Sequence, residues 1–130
     1  MGSAPTVPAG EESFAELTSD IKYIIVPETV RKFDSYSFKN VEAEIYILAD
    51  GIDVGTSAFD GASNLQNFNG EVHSLSTRSF ARSGIETINL CDDIKYIPQA
   101  AFENSKLKEI ELPLNLEDIQ YLRLILIHHL

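Results

Sequence analysis

A small residue followed by phenylalanine recurs along this chain at an almost constant interval. The phenylalanines of this mark are 21, 21 and 22 residues apart: Phe38, Phe59, Phe80 and Phe102. An apolar strand pattern and a turn precede the marks, as in Ile85–Leu90 and Ile94–Ile97. A period of about 20–30 residues with one strand pattern per unit is typical of a solenoid, because each unit buries its apolar face only against its neighbours. We therefore expect stacked repeats with the four phenylalanines buried in one row.

This spacing divides the chain into a lead and one domain. Residues 1–12 are rich in proline, glycine and glutamate, so we interpret them as a flexible lead or an expression scar. A single repeat domain is predicted over residues 13–130. It comprises a degenerate N-terminal cap at 13–20, repeats at about 21–42, 43–64, 65–84 and 85–106, and a partial repeat with a C-terminal cap at 107–130. The third repeat is two residues short, and Gly70 stands where a core residue is expected.

The phase of the strand patterns separates core residues from exposed ones. In the fourth repeat Ile85, Ile88 and Leu90 occupy the first, fourth and sixth positions, which we assign to the core. The same positions of the first and fifth repeats hold Ile21, Ile24, Val26, Leu107, Ile110 and Leu112. The third and fifth positions of each strand then point to the opposite face, because side chains alternate along a strand.

The second strand pattern leaves its register open. Tyr46 and Leu48 match the core positions of the first repeat by spacing, whereas Ile45 and Ile47 are the more apolar pair. A slip of one residue exchanges the two faces of a strand. Our assignment of the faces follows the spacing and so predicts that Ile45 and Ile47 are exposed.

The exposed strand positions form the predicted partner-binding face. They are Tyr23, Ile25, Ile45, Ile47, Asn67, Asn69, Thr87, Asn89, Glu109 and Glu111. This face runs from apolar, through neutral polar, to acidic. An exposed apolar patch on the concave side of a solenoid is a candidate recognition surface. Two alternatives remain: residues 13–20 fold over Tyr23 and Ile25 as a cap, or the slipped register buries Ile45 and Ile47.

The motifs resemble those of the BspA-like leucine-rich repeats. The matching parts are the strands Ile85–Leu90 and Leu107–Pro113, the turns Val30–Phe33 and Ile94–Ile97, and the four marks ending in phenylalanine. The resemblance covers roughly residues 21–119. It implies a leucine-rich repeat solenoid with short parallel β-strands on the concave face and turns with short 3-10 or irregular segments on the convex side. It also implies a role in recognition, often in adhesion by bacterial or protist surface proteins.

Charge and composition limit the functions that we expect of this chain. The net charge of −10 repels nucleic acid and anionic membranes, and no apolar run reaches the ~18 residues of a membrane span. Cys91 takes the place of prolines in sister repeats, which makes it a turn residue, and the adjacent His128 and His129 diverge on a strand or a helix. We therefore expect no enzyme, no cofactor, and no catalytic or metal-binding residues.

Two classes of function remain open. The first is a protein-recognition or adhesion module, secreted or at the cell surface as the resemblance implies, with a protein partner. The second is a structural cap or spacer of a larger repeat protein with no ligand of its own. Met1-Gly2-Ser3 lacks the charged and apolar regions of a secretory signal, so the sequence adds no support for secretion.

Removal of the apolar C-terminal segment tests whether it covers the last repeat. Residues 121–130 fit either a strand or a helix and are dense in leucine and isoleucine. Such a segment must be covered, so we expect it to fold over the final repeat or to pair with a second copy as a homodimer. In size-exclusion chromatography and thermal melting, the chain ending at Ile119 should lose the dimer or melt at a lower temperature. Two soluble monomers of equal stability would contradict this prediction.

Overall fold

A computed structural model describes residues 20–119, which contain eight short β-strands. The strands are β1 (Tyr23–Val26), β2 (Lys32–Phe33), β3 (Glu44–Ile47), β4 (Ile52–Val54), β5 (Glu71–Ser74), β6 (Asn89–Leu90), β7 (Tyr96–Ile97) and β8 (Asp118–Ile119). Turns and bends connect them, and the predicted 3-10 segments are not found within residues 20–119. The predicted lead, the predicted N-terminal cap except for residue 20, and the segment 121–130 lie outside the described residues.

All strand pairs are parallel, and each strand pairs with one about a repeat away. The sheets have the orders β1-β3, β2-β4-β5-β6 and β7-β8. Parallel neighbours need a connection that returns the chain to the same edge, which the intervening turns supply. Parallel pairing at a spacing of one repeat is compatible with a repeat solenoid.

The four repeated phenylalanines form the predicted row in the core. All four side chains are at most 2% exposed. Neighbouring ring centroids are 5.4, 5.4 and 5.8 Å apart, and the planes of successive rings differ by 1, 9 and 9°. Phe33 packs edge-on against this row, 4.9 Å from Phe59. The predicted burial and stacking of the phenylalanines are therefore confirmed.

The backbone around each phenylalanine is left-handed at two positions, which the sequence analysis did not predict. The residues two before and two after each ring have φ between 53 and 81°: Tyr36, Asn40, Ser57, Gly61, Arg78, Arg82, Ala100 and Asn104. Seven of these eight residues are not glycine, and a non-glycine residue with positive φ is uncommon. The same backbone turn is therefore repeated four times in spite of the residue types.

Hydrogen bonds between successive turns account for this backbone shape. The N–H group of Phe38 donates to the carbonyl of Ala58 at 2.8 Å, and the N–H groups of Tyr36 and Asn40 donate to the same neighbouring turn at 2.9 and 2.8 Å. Equivalent bonds join the second turn to the third and the third to the fourth. We call this set the turn ladder. It satisfies buried backbone donors that no strand pairs, which offsets the cost of the left-handed residues.

The register of β3 corrects the predicted faces of the second strand. Ile24 lies opposite Ile45 and Val26 opposite Ile47. Ile45 and Ile47 are buried, with exposed fractions of 0 and 4%, so their predicted place on the exposed face is wrong. The step from Ile24 to Ile45 is the same 21 residues that separates the stacked Phe38 and Phe59, and it places the branched side chains in the core.

Burial agrees with the predicted core in the middle repeats and departs from it in the outer ones. Ile85, Ile88 and Leu90 are buried as predicted. Ile21 and Leu112 are exposed, so their predicted place in the core is wrong. Both belong to the outermost predicted repeats, where the described residues 20–119 supply a neighbouring repeat on one side.

Gly70 shows how the shortened third repeat is accommodated. A Cβ atom at this position would overlap the carbonyl oxygen of Ala49, so no other residue allows this approach without a shift of the backbone. β5 begins directly after Gly70 and pairs with β4 on one side and with β6 on the other. In the longer repeats, the strand before the turn (β1, β3) and the strand after it (β2, β4) lie in different sheets. β5 pairs with a strand of each kind, β4 and β6.

A buried carboxylate joins three repeats beside the phenylalanine row. Asp60 accepts hydrogen bonds from Nε of Arg78 at 3.2 Å and from Nε of Arg82 at 2.8 Å. Arg78 also donates to Glu103 at 2.7 Å. Partial burial lowers the pKa of Arg78, but its hydrogen bonds to Asp60 and Glu103 outweigh this and raise it. Both arginines belong to the left-handed pair around Phe80, so these contacts hold the turn in place.

Truncation of a stacked phenylalanine should destabilise the whole chain. Phe59→Ala removes a ring with neighbours on both sides, and we expect a loss of about 3–5 kcal/mol in the free energy of unfolding through lost burial and the cavity left behind. The control Tyr96→Ala removes an exposed ring and should change stability by about 0.5 kcal/mol or less. Urea denaturation measures both, and equal losses would count against a continuous core row.

Neutralising Asp60 should cost more than neutralising a surface acid. Asp60→Asn removes the carboxylate that Arg78 and Arg82 share and leaves Arg78 only its bond to Glu103, so we expect a loss of about 1–3 kcal/mol. The control Asp34→Asn breaks an exposed contact with Lys32 at 3.8 Å, which is worth about 0–1 kcal/mol. Thermal and urea unfolding at one fixed salt concentration provide the comparison. An equal effect of the two variants would show that Asp60 does not hold the turns together.

Candidate protein-binding face

The exposed sides of the strand segments form one candidate site. Eight of the ten predicted face residues are exposed: Tyr23, Ile25, Asn67, Asn69, Thr87, Asn89, Glu109 and Glu111. Tyr46 and Leu48 are exposed in place of Ile45 and Ile47. We call this corrected set the strand face. That it binds a partner stays a prediction.

β1, β3 and the residue after β3 carry the apolar end of the strand face, made of Tyr23, Ile25, Tyr46 and Leu48. Ile25 lies opposite Tyr46 in the register of β1 and β3, and the rings of Tyr23 and Tyr46 are 6.5 Å apart. Ile25 and Leu48 are 63 and 59% exposed although both are aliphatic. The strand pairing therefore brings four large apolar side chains to one exposed surface.

A hydrogen bond orients one aromatic ring of this apolar end. The hydroxyl group of Tyr46 donates to the Glu44 carboxylate at 2.5 Å. Because the acceptor is charged, this bond raises the pKa of Tyr46. The bond to Glu44 therefore fixes the direction of the Tyr46 hydroxyl at the edge of the apolar end.

Asparagines in the middle of the strand face have a structural role. Oδ1 of Asn67 accepts hydrogen bonds from the N–H groups of Glu86 and Thr87 at 2.8 and 3.2 Å. Nδ2 of Asn89 donates to the carbonyl of Asn69 at 2.7 Å. Side-chain amides therefore bridge the third and fourth repeats where the shortened repeat interrupts the backbone pairing.

An open groove of about 980 Å³ occupies the other end of the strand face. Its polar lining comprises Asn69, Glu71, Thr87, Asn89, Asp92, Glu109 and Glu111, and its apolar lining Ile88, Leu90, Ile110, Leu112 and Leu114. Four carboxylates and no basic residue line it, so we call it the acidic groove. Its field attracts cationic groups and repels anionic ones.

The structure also brings together three side chains that the sequence analysis considered separately or not at all. Ligand atoms of Glu71, His73 and Cys91 lie within 4.8 Å of one another. His73 and Cys91 are 18 positions apart in the sequence and form no motif, and only the pairing of β5 with β6 makes them neighbours. Within residues 20–119, no helix has the length and hydropathy of a membrane span.

Comparison with known families agrees with this geometry. No curated protein and no solved structure is significantly similar to the chain. The family model of the BspA type leucine rich repeat region matches residues 44–123, in six copies. This range is more than half of the chain and begins at the first residue of β3. The chain therefore belongs to the BspA-type leucine-rich repeat family.

Proposed function

We propose that this chain is a non-enzymatic recognition module, a solenoid whose strand face is concave and binds a segment of another protein. The family suggests a repeat protein for protein interaction. The observation that carries the proposal is the apolar end, where Tyr23, Ile25, Tyr46 and Leu48 are exposed on paired strands. Side chains of this kind gain free energy when a partner removes them from water.

The composition of the apolar end favours a protein ligand. Tyrosine is enriched among the residues that dominate binding energy at protein interfaces, because its ring buries a large area while its hydroxyl keeps a hydrogen-bond partner. Tyr23 and Tyr46 offer two such rings, and Ile25 and Leu48 add aliphatic contacts beside them. A contiguous exposed apolar surface on an otherwise acidic protein supports an interaction site.

The acidic groove indicates which residue types the other end of the ligand carries. Glu71, Asp92, Glu109 and Glu111 favour lysine or arginine, and they disfavour nucleic acid and anionic membranes. Neighbouring strands lie about 4.8 Å apart, so five strand segments extend over about 19 Å. An extended segment of about six residues spans that length. The proposed ligand is thus an extended segment with aromatic or aliphatic residues at one end and basic residues at the other.

Adhesion at a cell surface is the specific form of recognition that we propose. Its support is the resemblance to repeats that are common in bacterial and protist surface proteins. The complete gene tests it directly. A signal peptide together with a surface anchor would agree with the proposal, and a cytoplasmic protein without either would contradict it.

A structural cap or spacer is the second candidate, and one observation favours it. Leu112 and Leu114, in the last repeat of the described residues, are 45 and 83% exposed, so a further repeat could cover them. A spacer would associate end to end and would have no ligand on the strand face. Concentration-dependent self-association that is lost in Leu114→Glu would favour this second function.

Charging the apolar end should abolish peptide binding and leave the fold intact. A random-peptide display library panned against the full chain provides the probe. We expect enriched peptides to combine aromatic or aliphatic residues with lysine or arginine, and Ile25→Glu/Leu48→Glu to weaken their binding at least ~100-fold, about 2.7 kcal/mol. Because both side chains are exposed, the melting temperature should change little.

A matched variant controls for nonspecific effects of added charge. Tyr96→Glu introduces an acid at an exposed tyrosine outside the strand face and should leave peptide binding unchanged. The proposal fails if no peptide is enriched, or if the enriched peptides bind the doubly charged variant as well as the original chain.

A further inference from the structure

The pairing of β5 with β6 places three metal-ligating side chains side by side. Val72 lies opposite Leu90, so the next residues along the two strands, His73 and Cys91, are neighbours. The N–H group of Cys91 donates to the carbonyl of Val72 at 3.0 Å and fixes this pairing. Glu71 is two residues before His73 and thus on the same side of β5. Their ligand atoms lie within 4.8 Å of one another.

The separations suit a tetrahedral ion. Zinc bonds to nitrogen, oxygen and sulfur are about 2.0–2.3 Å long, so two ligands of a tetrahedral zinc lie about 3.4–3.7 Å apart. Nε2 of His73 and a carboxylate oxygen of Glu71 are already 3.6 Å apart. Small side-chain rotations bring Sγ of Cys91 to the same range, because it starts no more than 4.8 Å from the other two atoms.

The backbone around these residues is held in place. The N–H group of Glu71 donates to Oδ1 of Asp50 at 2.7 Å, and the N–H group of Gly51 donates to the carbonyl of Glu71 at 3.0 Å. The imidazole of His73 lies over Gly51, where a Cβ atom would come within 3.0 Å of its Cε1. A glycine with φ of 73° thus provides the flat surface that supports the ring.

We propose that Glu71, His73 and Cys91 bind a divalent transition-metal ion, for which Zn²⁺ is the best match. A donor set of one thiolate, one imidazole and one carboxylate selects borderline ions over Ca²⁺ and Mg²⁺, which take oxygen ligands. Glu71 and His73 are exposed and Cys91 is half-buried, so the ion has access from solvent. Binding displaces the thiol proton of Cys91 into solvent, because the thiolate is the ligand.

Three protein ligands leave a fourth position for water or for a donor from another molecule. Glu71 also lines the acidic groove, so this position lies at the rim of the groove. The site does not depend on the proposed recognition function, because its ligands all come from β5 and the residue after β6. Metal binding and peptide binding can therefore be tested separately.

Zinc titration of the reduced, metal-free full chain tests the site. Competition with a chromophoric chelator should give one Zn²⁺ per chain, and Co²⁺ in its place should show thiolate-to-metal charge-transfer absorption. Cys91→Ser and His73→Gln should each weaken Zn²⁺ binding at least about tenfold, since even residues that only support metal ligands change affinity by this much. Cys91→Ser should lose the absorption band because it removes the thiolate, whereas His73→Gln should need a higher Co²⁺ concentration to develop it.

The remaining histidines supply the matched control. His128→Gln/His129→Gln removes both of them and should retain the stoichiometry, the affinity and the band. Melting temperatures without metal establish that each variant is folded. The proposal is overturned if the chain binds no Zn²⁺ at micromolar concentration, if Cys91→Ser binds it as tightly as the original chain, or if binding is lost with His128 and His129.

Discussion

The turn ladder is the constraint on which the rest of the structure depends. Hydrogen bonds of 2.8–2.9 Å from the N–H groups of Phe38, Phe59 and Phe80 fix the step from each turn to the next. That step lets the phenylalanine rings overlap nearly parallel at 5.4–5.8 Å. It also sets Ile24 opposite Ile45, and with that register it decides which side chains of β3 reach the surface.

Repetition made the core row and the parallel pairing predictable from sequence, because four copies of a mark must occupy equivalent places. The register of β3 was not predictable from its own residues, since Ala43, Ile45 and Ile47 alternate with Tyr46 and Leu48 and either set can be buried. Only the spacing of the turns resolves it. The left-handed backbone had only a partial sequence signal. Asn40, Gly61 and Asn104 favour it two residues after a phenylalanine. Residues such as Arg78 and Ala100 do not favour it, and the hydrogen bonds between turns impose it there.

The features of the candidate sites also differ in whether the sequence predicted them. Exposure of Thr87 and Glu109 followed from the phase of the strand patterns in the sequence. The hydrogen bonds of Asn67 to two backbone N–H groups, in contrast, arise from an interruption in the pairing. The group of Glu71, His73 and Cys91 also arises there, because the shortened repeat lets β5 pair directly with β6. Physical reasoning on one repeat at a time misses contacts that depend on how an irregular repeat joins regular ones.

The two sides of the molecule differ in how continuously they are bonded. The turn ladder runs without a break from Phe38 to Ala101, whereas side-chain amides of Asn67 and Asn89 replace part of the backbone pairing between the third and fourth repeats. Amide side chains rotate about single bonds and tolerate changes in distance that a backbone ladder does not. Backbone bonds therefore set the distance between repeats on the turn side, whereas side chains contribute to it at this point of the strand side. Under the proposed recognition function, this is the place where a change in side-chain contacts would let the distance between the apolar end and the acidic groove adjust to ligands of different length.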